Sequence, residues 1–102
     1  MRVTFMPGAR AQLRAIYDDL AKDNEAAARA IIARAEEIAR LLGDNPRIGR
    51  KLPHSRLRRF PLKPYPYLIY YEVVGRLVRI IRVRHAMRRH PTFHEPAPPF
   101  AR

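Results

Sequence analysis

Residues 67–84 read Tyr67-Leu68-Ile69-Tyr70-Tyr71-Glu72-Val73-Val74-Gly75-Arg76-Leu77-Val78-Arg79-Ile80-Ile81-Arg82-Val83-Arg84. β-Branched and aromatic residues crowd both sides of a single glycine. A residue that tolerates positive φ between two such runs marks a tight turn, so the stretch predicts an antiparallel hairpin. One strand runs from Tyr67 to Val73 and the other from Leu77 to Arg84, with Gly75 in the turn. Period-two alternation sends Tyr67 and Tyr71 to one face and Tyr70 to the other. The same rule groups Leu77, Arg79, Ile81 and Val83 on one face of the last strand, and Val78, Ile80, Arg82 and Arg84 on the opposite one.

Upstream, Leu57 to Leu62 forms a further strand, with Pro61 suited to a sheet edge or a bulge because it has no N–H for a ladder. Residues 43–56 carry Gly43, Asn45, Pro46, Gly49 and Pro53, which resist regular structure and predict a long loop. Before it the period is helical. Ala28, Ile31, Ile32, Ala35, Ile38, Leu41 and Leu42 make the apolar stripe of a helix capped by Asp23 or Asn24 and stopped at Gly43. An earlier helix over residues 8–21 places Leu13, Ile16, Tyr17 and Leu20 on one side, with Arg10 and Arg14 largely off it. Pro7 suits its start. Residues 2–6 alternate as a short opening strand. The order is strand, helix, helix and three strands: an α+β domain with a helical hairpin on an antiparallel C-terminal sheet, its other face left for function. The domain is expected over residues 1–90, followed by a Pro-rich tail over 91–102 that Phe93 and Phe100 anchor.

Charge is distributed unevenly. Of 21 basic residues 18 are arginine, against 9 acidic ones, for a formal net charge of +12. Residues 1–50 hold nine basic and seven acidic residues (+2), whereas residues 51–102 hold twelve and two (+10). Such a field favours nucleic acid or acidic proteins, and arginine favours bidentate contacts to phosphate or carboxylate. No apolar run is long enough to span a membrane, and the N-terminus lacks the apolar segment of a signal peptide. The chain has no cysteine, which fits a cytoplasmic setting. His85, His90 and His94 are spaced four apart, but Pro91 breaks any helix joining them and no carboxylate cluster completes a shell. No metal or other cofactor is expected.

Four strings in this order resemble the RelE/ParE superfamily of small bacterial toxins, over about residues 2–89. They are the opening strand with Ala9, Leu13 and Ile16; Asn45-Pro46-Arg47-Ile48-Gly49-Arg50; Leu57-Arg58-Arg59-Phe60-Pro61 leading into Tyr67–Val73; and Val78–His85 with Arg88 nearby. The resemblance implies a toxin neutralised by a cognate antitoxin that wraps it, commonly as a hetero-oligomer. RelE-like members enter the ribosome and cleave mRNA; ParE-like members act on DNA gyrase.

Metal-free RNA cleavage needs a base, an acid and positive charge at the phosphorane. Arg58 and Arg82 would supply the charge if the strands bring them together, and His85 is the one well-placed proton carrier. The tyrosine that RelE-like nucleases carry after the last strand is absent, since no tyrosine follows Tyr71, and the loop over 43–56 offers only Asp44 as an acid. The resemblance therefore points to the ParE-like branch, binding DNA gyrase with no chemistry of its own. The RelE-like alternative rests on Arg58, Arg82 and His85, and a member that binds without toxicity is a third reading. Arg10, Arg14, Arg58, Arg79, Arg82 and Arg84 are the candidate contacts to antitoxin or target. Tyr65, Tyr67, Tyr70 and Tyr71 lie near arginines, yet at least two of them are expected to pack in the core, with their hydroxyls at its rim.

Overall fold

The computed structural model describes residues 1–87. The elements are β1 (Arg2–Phe5), α1 (Pro7–Ala21), α2 (Glu25–Asp44), β2 (Arg50–Lys51), β3 (Arg58–Pro61), β4 (Tyr67–Val74) and β5 (Leu77–His85). The five strands form one sheet in the order β1-β5-β4-β3-β2. All neighbours run antiparallel except β1, which lies parallel to β5. The sheet is therefore mixed, because the helical hairpin carries the chain back across before β5 meets β1. The expected tail, with Phe93, Phe100, His90 and His94, lies outside the described residues.

Pro7 opens α1 at its first turn, and Met6 precedes it in an extended conformation. Asn24 caps α2: its side chain accepts the Ala27 N–H at 3.0 Å. The end of α2 departs from expectation. Gly43 is not a left-handed stop but lies within the helix, which runs on to Asp44. Its role is close approach. The N-terminal ammonium of Met1 donates to the Gly43 carbonyl at 2.8 Å, and a Cβ on Gly43 would come within 2.7 Å of the Met1 carbonyl oxygen. The helix ends at Asn45, which leaves helical geometry while its N–H still reaches the Leu41 carbonyl at 2.8 Å; Pro46 follows.

The loop expected over 43–56 contains a two-residue strand, β2, that pairs with Arg58 and Arg59 of β3. Pro61 pairs with Leu68 on one side and lies past the end of β2 on the other, so its missing N–H removes no ladder bond. The β4–β5 turn holds Gly75 at φ +60°, the left-handed geometry the hairpin requires.

The core lies between the helices and one sheet face. Ile31, Ala35, Ile38 and Leu42 from α2 meet Ile69, Tyr71, Val78, Ile80 and Val83, joined by Ala9 from α1. Burying each large aliphatic side chain contributes about 1.5–3 kcal/mol. Leu13, Ile16 and Leu20 of α1 border this core but are only partly covered. That leaves one flank of α1 apolar and reachable.

Candidate docking surface

A bulge in β5 determines where the arginines point. Tyr71 pairs with Ile80 and Tyr70 with Arg82, so Ile81 is an extra residue between them. Uninterrupted alternation would have put Arg82 on the same face as Val78 and Ile80, against the core. The bulge resets the phase. Val83 turns inward, 3% exposed, and Arg82 and Arg84 join Arg79 on the face away from the helices. The expected split of Arg79 from Arg82 and Arg84 is thus corrected: all three share the open face.

Arg59, Tyr70 and Arg82 form one cross-strand row on that face. Tyr70 is buried although it stands outside the helix-side cluster. Burial, then the neighbouring Arg82, pushes the Arg84 guanidinium below the usual arginine range, against an opposing pull from Tyr70. Like charges gathered this closely disfavour one another. Arg79 is met by Glu72, opposite it in the ladder, at 3.5 Å. Arg59 was absent from the sequence-based set; strict alternation beside Arg58 was the signal that would have found it.

Arg58 takes the other face. It pairs with Tyr71, and its Nη1 donates to the carbonyls of Gly49 (2.8 Å) and Arg47 (3.3 Å). The strands therefore do not bring Arg58 and Arg82 together: β4 lies between their strands and the two side chains leave the sheet on opposite sides. His85 follows the phase of Val83 and stands opposite Tyr67, whose ring it meets edge-on at 5.2 Å. Its Nδ1 accepts the Met87 N–H at 3.1 Å, which puts the proton of the neutral ring on Nε2. It lines a groove of about 400 Å³ with Gln12, Ile16, Asp19 and Tyr67, bordered by Arg84.

On α1, Arg10 Nε donates to the Phe5 carbonyl at 3.2 Å, and Arg14 pairs with Asp18 at 3.2 Å while staying largely exposed. The six arginines singled out from the sequence accordingly divide among three surfaces: Arg10 and Arg14 on α1, Arg58 by the loop before β2, and Arg79, Arg82 and Arg84 on the open sheet face. A partner reaching all of them has to wrap the domain.

Of the tyrosines, Tyr70 and Tyr71 are buried, and Tyr65 and Tyr67 border the core as partly buried residues. Among the described residues no group of three His, Cys, Asp or Glu is placed to hold a metal ion. No helix there is long and apolar enough to cross a membrane.

A helical hairpin backing a small mixed sheet, with arginines gathered on the open face, defines a toxin of the RelE/ParE superfamily. The model of the family described as the ParE toxin of the type II toxin–antitoxin system parDE matches residues 3–90, and the chain belongs to this family. It is also 39% identical over 80 residues to Toxin RelE2 of Caulobacter vibrioides, covering 78% of this chain and 89% of that one. The fold is shared with a chain of a chromosomal ParDE system from P. aeruginosa, at a TM-score of 0.72 and 24% identity over 83% of this chain and 95% of that one. Membership implies a cognate antitoxin as partner.

Proposed function

We propose that this toxin acts in the ParE manner, by binding DNA gyrase and stalling it, and that its antitoxin neutralises it by covering the arginine face. The supporting observation is the placement of Arg58 and Arg82 on opposite sides of the sheet. A metal-free nuclease must focus its cations and its proton carriers on one phosphate. Here Arg58 stands beside the loop before β2, Arg82 leaves the opposite side of the sheet, and His85 follows the core-side phase at the sheet end.

The similarity to Toxin RelE2 keeps ribosome-dependent mRNA cleavage as the second reading. The T-shaped contact of His85 with Tyr67 is what favours it, because the fold supplies a tyrosine beside the histidine that the chain lacks after β5. Controlled expression with parallel mapping of mRNA 5′ ends and of gyrase–DNA cleavage complexes separates the two. Cleavage complexes without new 5′ ends are expected; codon-positioned mRNA cuts would contradict the proposal.

A further inference from the structure

The β2–β3 ladder contains only two residue pairs, and both set cation against cation: Arg50 opposite Arg59 and Lys51 opposite Arg58. Like charges directly opposite each other destabilise a strand pair. Among the described residues no carboxylate forms an ion pair with this ladder: the pairs are Arg14–Asp18, Arg29–Glu25, Arg34–Glu37 and Arg79–Glu72.

On the side of Lys51 and Arg58 the surface hollows into a pocket of about 280 Å³, walled by Arg47, Lys51, Arg56 and Arg58, with Val73 as its one apolar member. Two of the cations are held by backbone carbonyls. Arg58 is held by the carbonyls of Arg47 and Gly49, and Lys51 Nζ donates to the Ser55 carbonyl at 2.8 Å.

We propose that this pocket is an anion site that takes backbone phosphates of duplex DNA. Its composition separates it from a protein-docking surface. Protein interfaces join arginine to aromatic residues and are depleted in lysine, whereas DNA interfaces are strongly positive. With no aromatic side chain in its wall, the pocket has no platform for stacking unpaired bases, so it reads the backbone and not a single strand. Phosphates bound there relieve the repulsion between Lys51 and Arg58, and the four cations are gathered by residues 47–58 as that stretch folds back through β2 and β3. The site lies on a different face from Arg79, Arg82 and Arg84 and is independent of the gyrase reading.

Fluorescence anisotropy of the full chain with a labelled DNA duplex, without gyrase and over a series of salt concentrations, tests this. Each phosphate contact contributes a slope of roughly 0.9 in log K against log salt, so the exposed double variant Lys51→Gln/Arg56→Gln should lower the slope by roughly 2. Its far-ultraviolet circular dichroism should be unchanged. Arg29→Gln, an exposed change on α2 outside both cationic surfaces, should leave the slope as it is. Absence of duplex binding by the wild-type chain, or a slope unaffected by the double variant, would overturn the site. So would equal binding of an acidic peptide in competition with the duplex. Each of these results can be read whether or not gyrase proves to be the target.

Discussion

The Tyr71 hydroxyl accepts the Gly49 N–H at 2.8 Å, across 22 residues of sequence and inside the protein. The same hydroxyl donates to the Pro46 carbonyl at 2.8 Å. A single core tyrosine thus closes the loop that precedes β2, and Gly49 is required because a Cβ there would stand 2.6 Å from that oxygen. Tyr71→Phe leaves a buried N–H without its acceptor, so the expected cost is about 1–3 kcal/mol in urea denaturation.

The same hydroxyl has a pH signature. Burial pushes the Tyr71 hydroxyl above its ordinary value of 10.0, outweighing the Gly49 N–H and Arg58, which pull it down. A group that holds its proton more tightly when folded contributes stability that is complete below the unfolded value and lost as pH rises through the folded one. Wild-type stability should therefore fall as pH climbs past about 10, the ordinary tyrosine value. Tyr71→Phe should lack that component of the decline in denaturation midpoints measured against pH.

Gln12 holds the free edge of β5. β1 pairs only with Leu77–Ile80, and beyond it the Gln12 side-chain oxygen accepts the Val83 N–H at 2.7 Å. Gln12→Ala should destabilise the fold by about 1–2 kcal/mol, the range for a part-buried donor left unmatched. Hydrogen exchange at the Val83 amide should quicken more than exchange at Ile80, whose strand segment remains paired with β1. Equal acceleration at both would mean that Gln12 does not secure this edge.

The Ile81 bulge puts Arg82 and Arg84 on the open sheet face, where the proposed antitoxin contact lies. Reversing both to glutamate should weaken antitoxin binding by at least about tenfold at low salt, and the difference should shrink as salt rises. Titration calorimetry with the cognate antitoxin at two ionic strengths reads both effects. The same reversal at Arg14, whose charge is already met by Asp18, should do much less.

His85→Ala should leave growth inhibition intact, because the imidazole follows the core-side phase and its Nδ1 accepts from the backbone of Met87. Loss of inhibition in a variant that keeps its fold and its antitoxin affinity would transfer His85 to the chemistry of the target.

Much of this architecture was legible in the residues themselves. Gly75 between two β-rich runs specified the hairpin, and the stripe from Ala28 to Leu42 specified α2, because both signals are local. The bulge was not legible. Ile80 and Ile81 are both aliphatic, so either phase satisfies the pattern, and only pairing with Tyr70 and Tyr71 selects one. The strand β2 was hidden because Arg50-Lys51 carries no β signature and exists through its partner strand. Gly43 was misread for a related reason: its need for a small side chain comes from Met1, 42 positions away. For the site, the residue types were legible but their grouping was not. Arg58 and Arg59 are neighbours in sequence and leave opposite sides of the sheet, and the carbonyls that hold Arg58 belong to a loop with no pattern of its own.

The most direct test of the central claim uses purified components: toxin, DNA gyrase, ATP and supercoiled plasmid, with denaturation to reveal trapped breaks. Toxin-dependent accumulation of gyrase-linked cleaved DNA, abolished by the antitoxin and retained in His85→Ala, is the result this account predicts. Undisturbed gyrase turnover at saturating toxin, together with cleavage of mRNA on purified ribosomes by the same preparation, would contradict it.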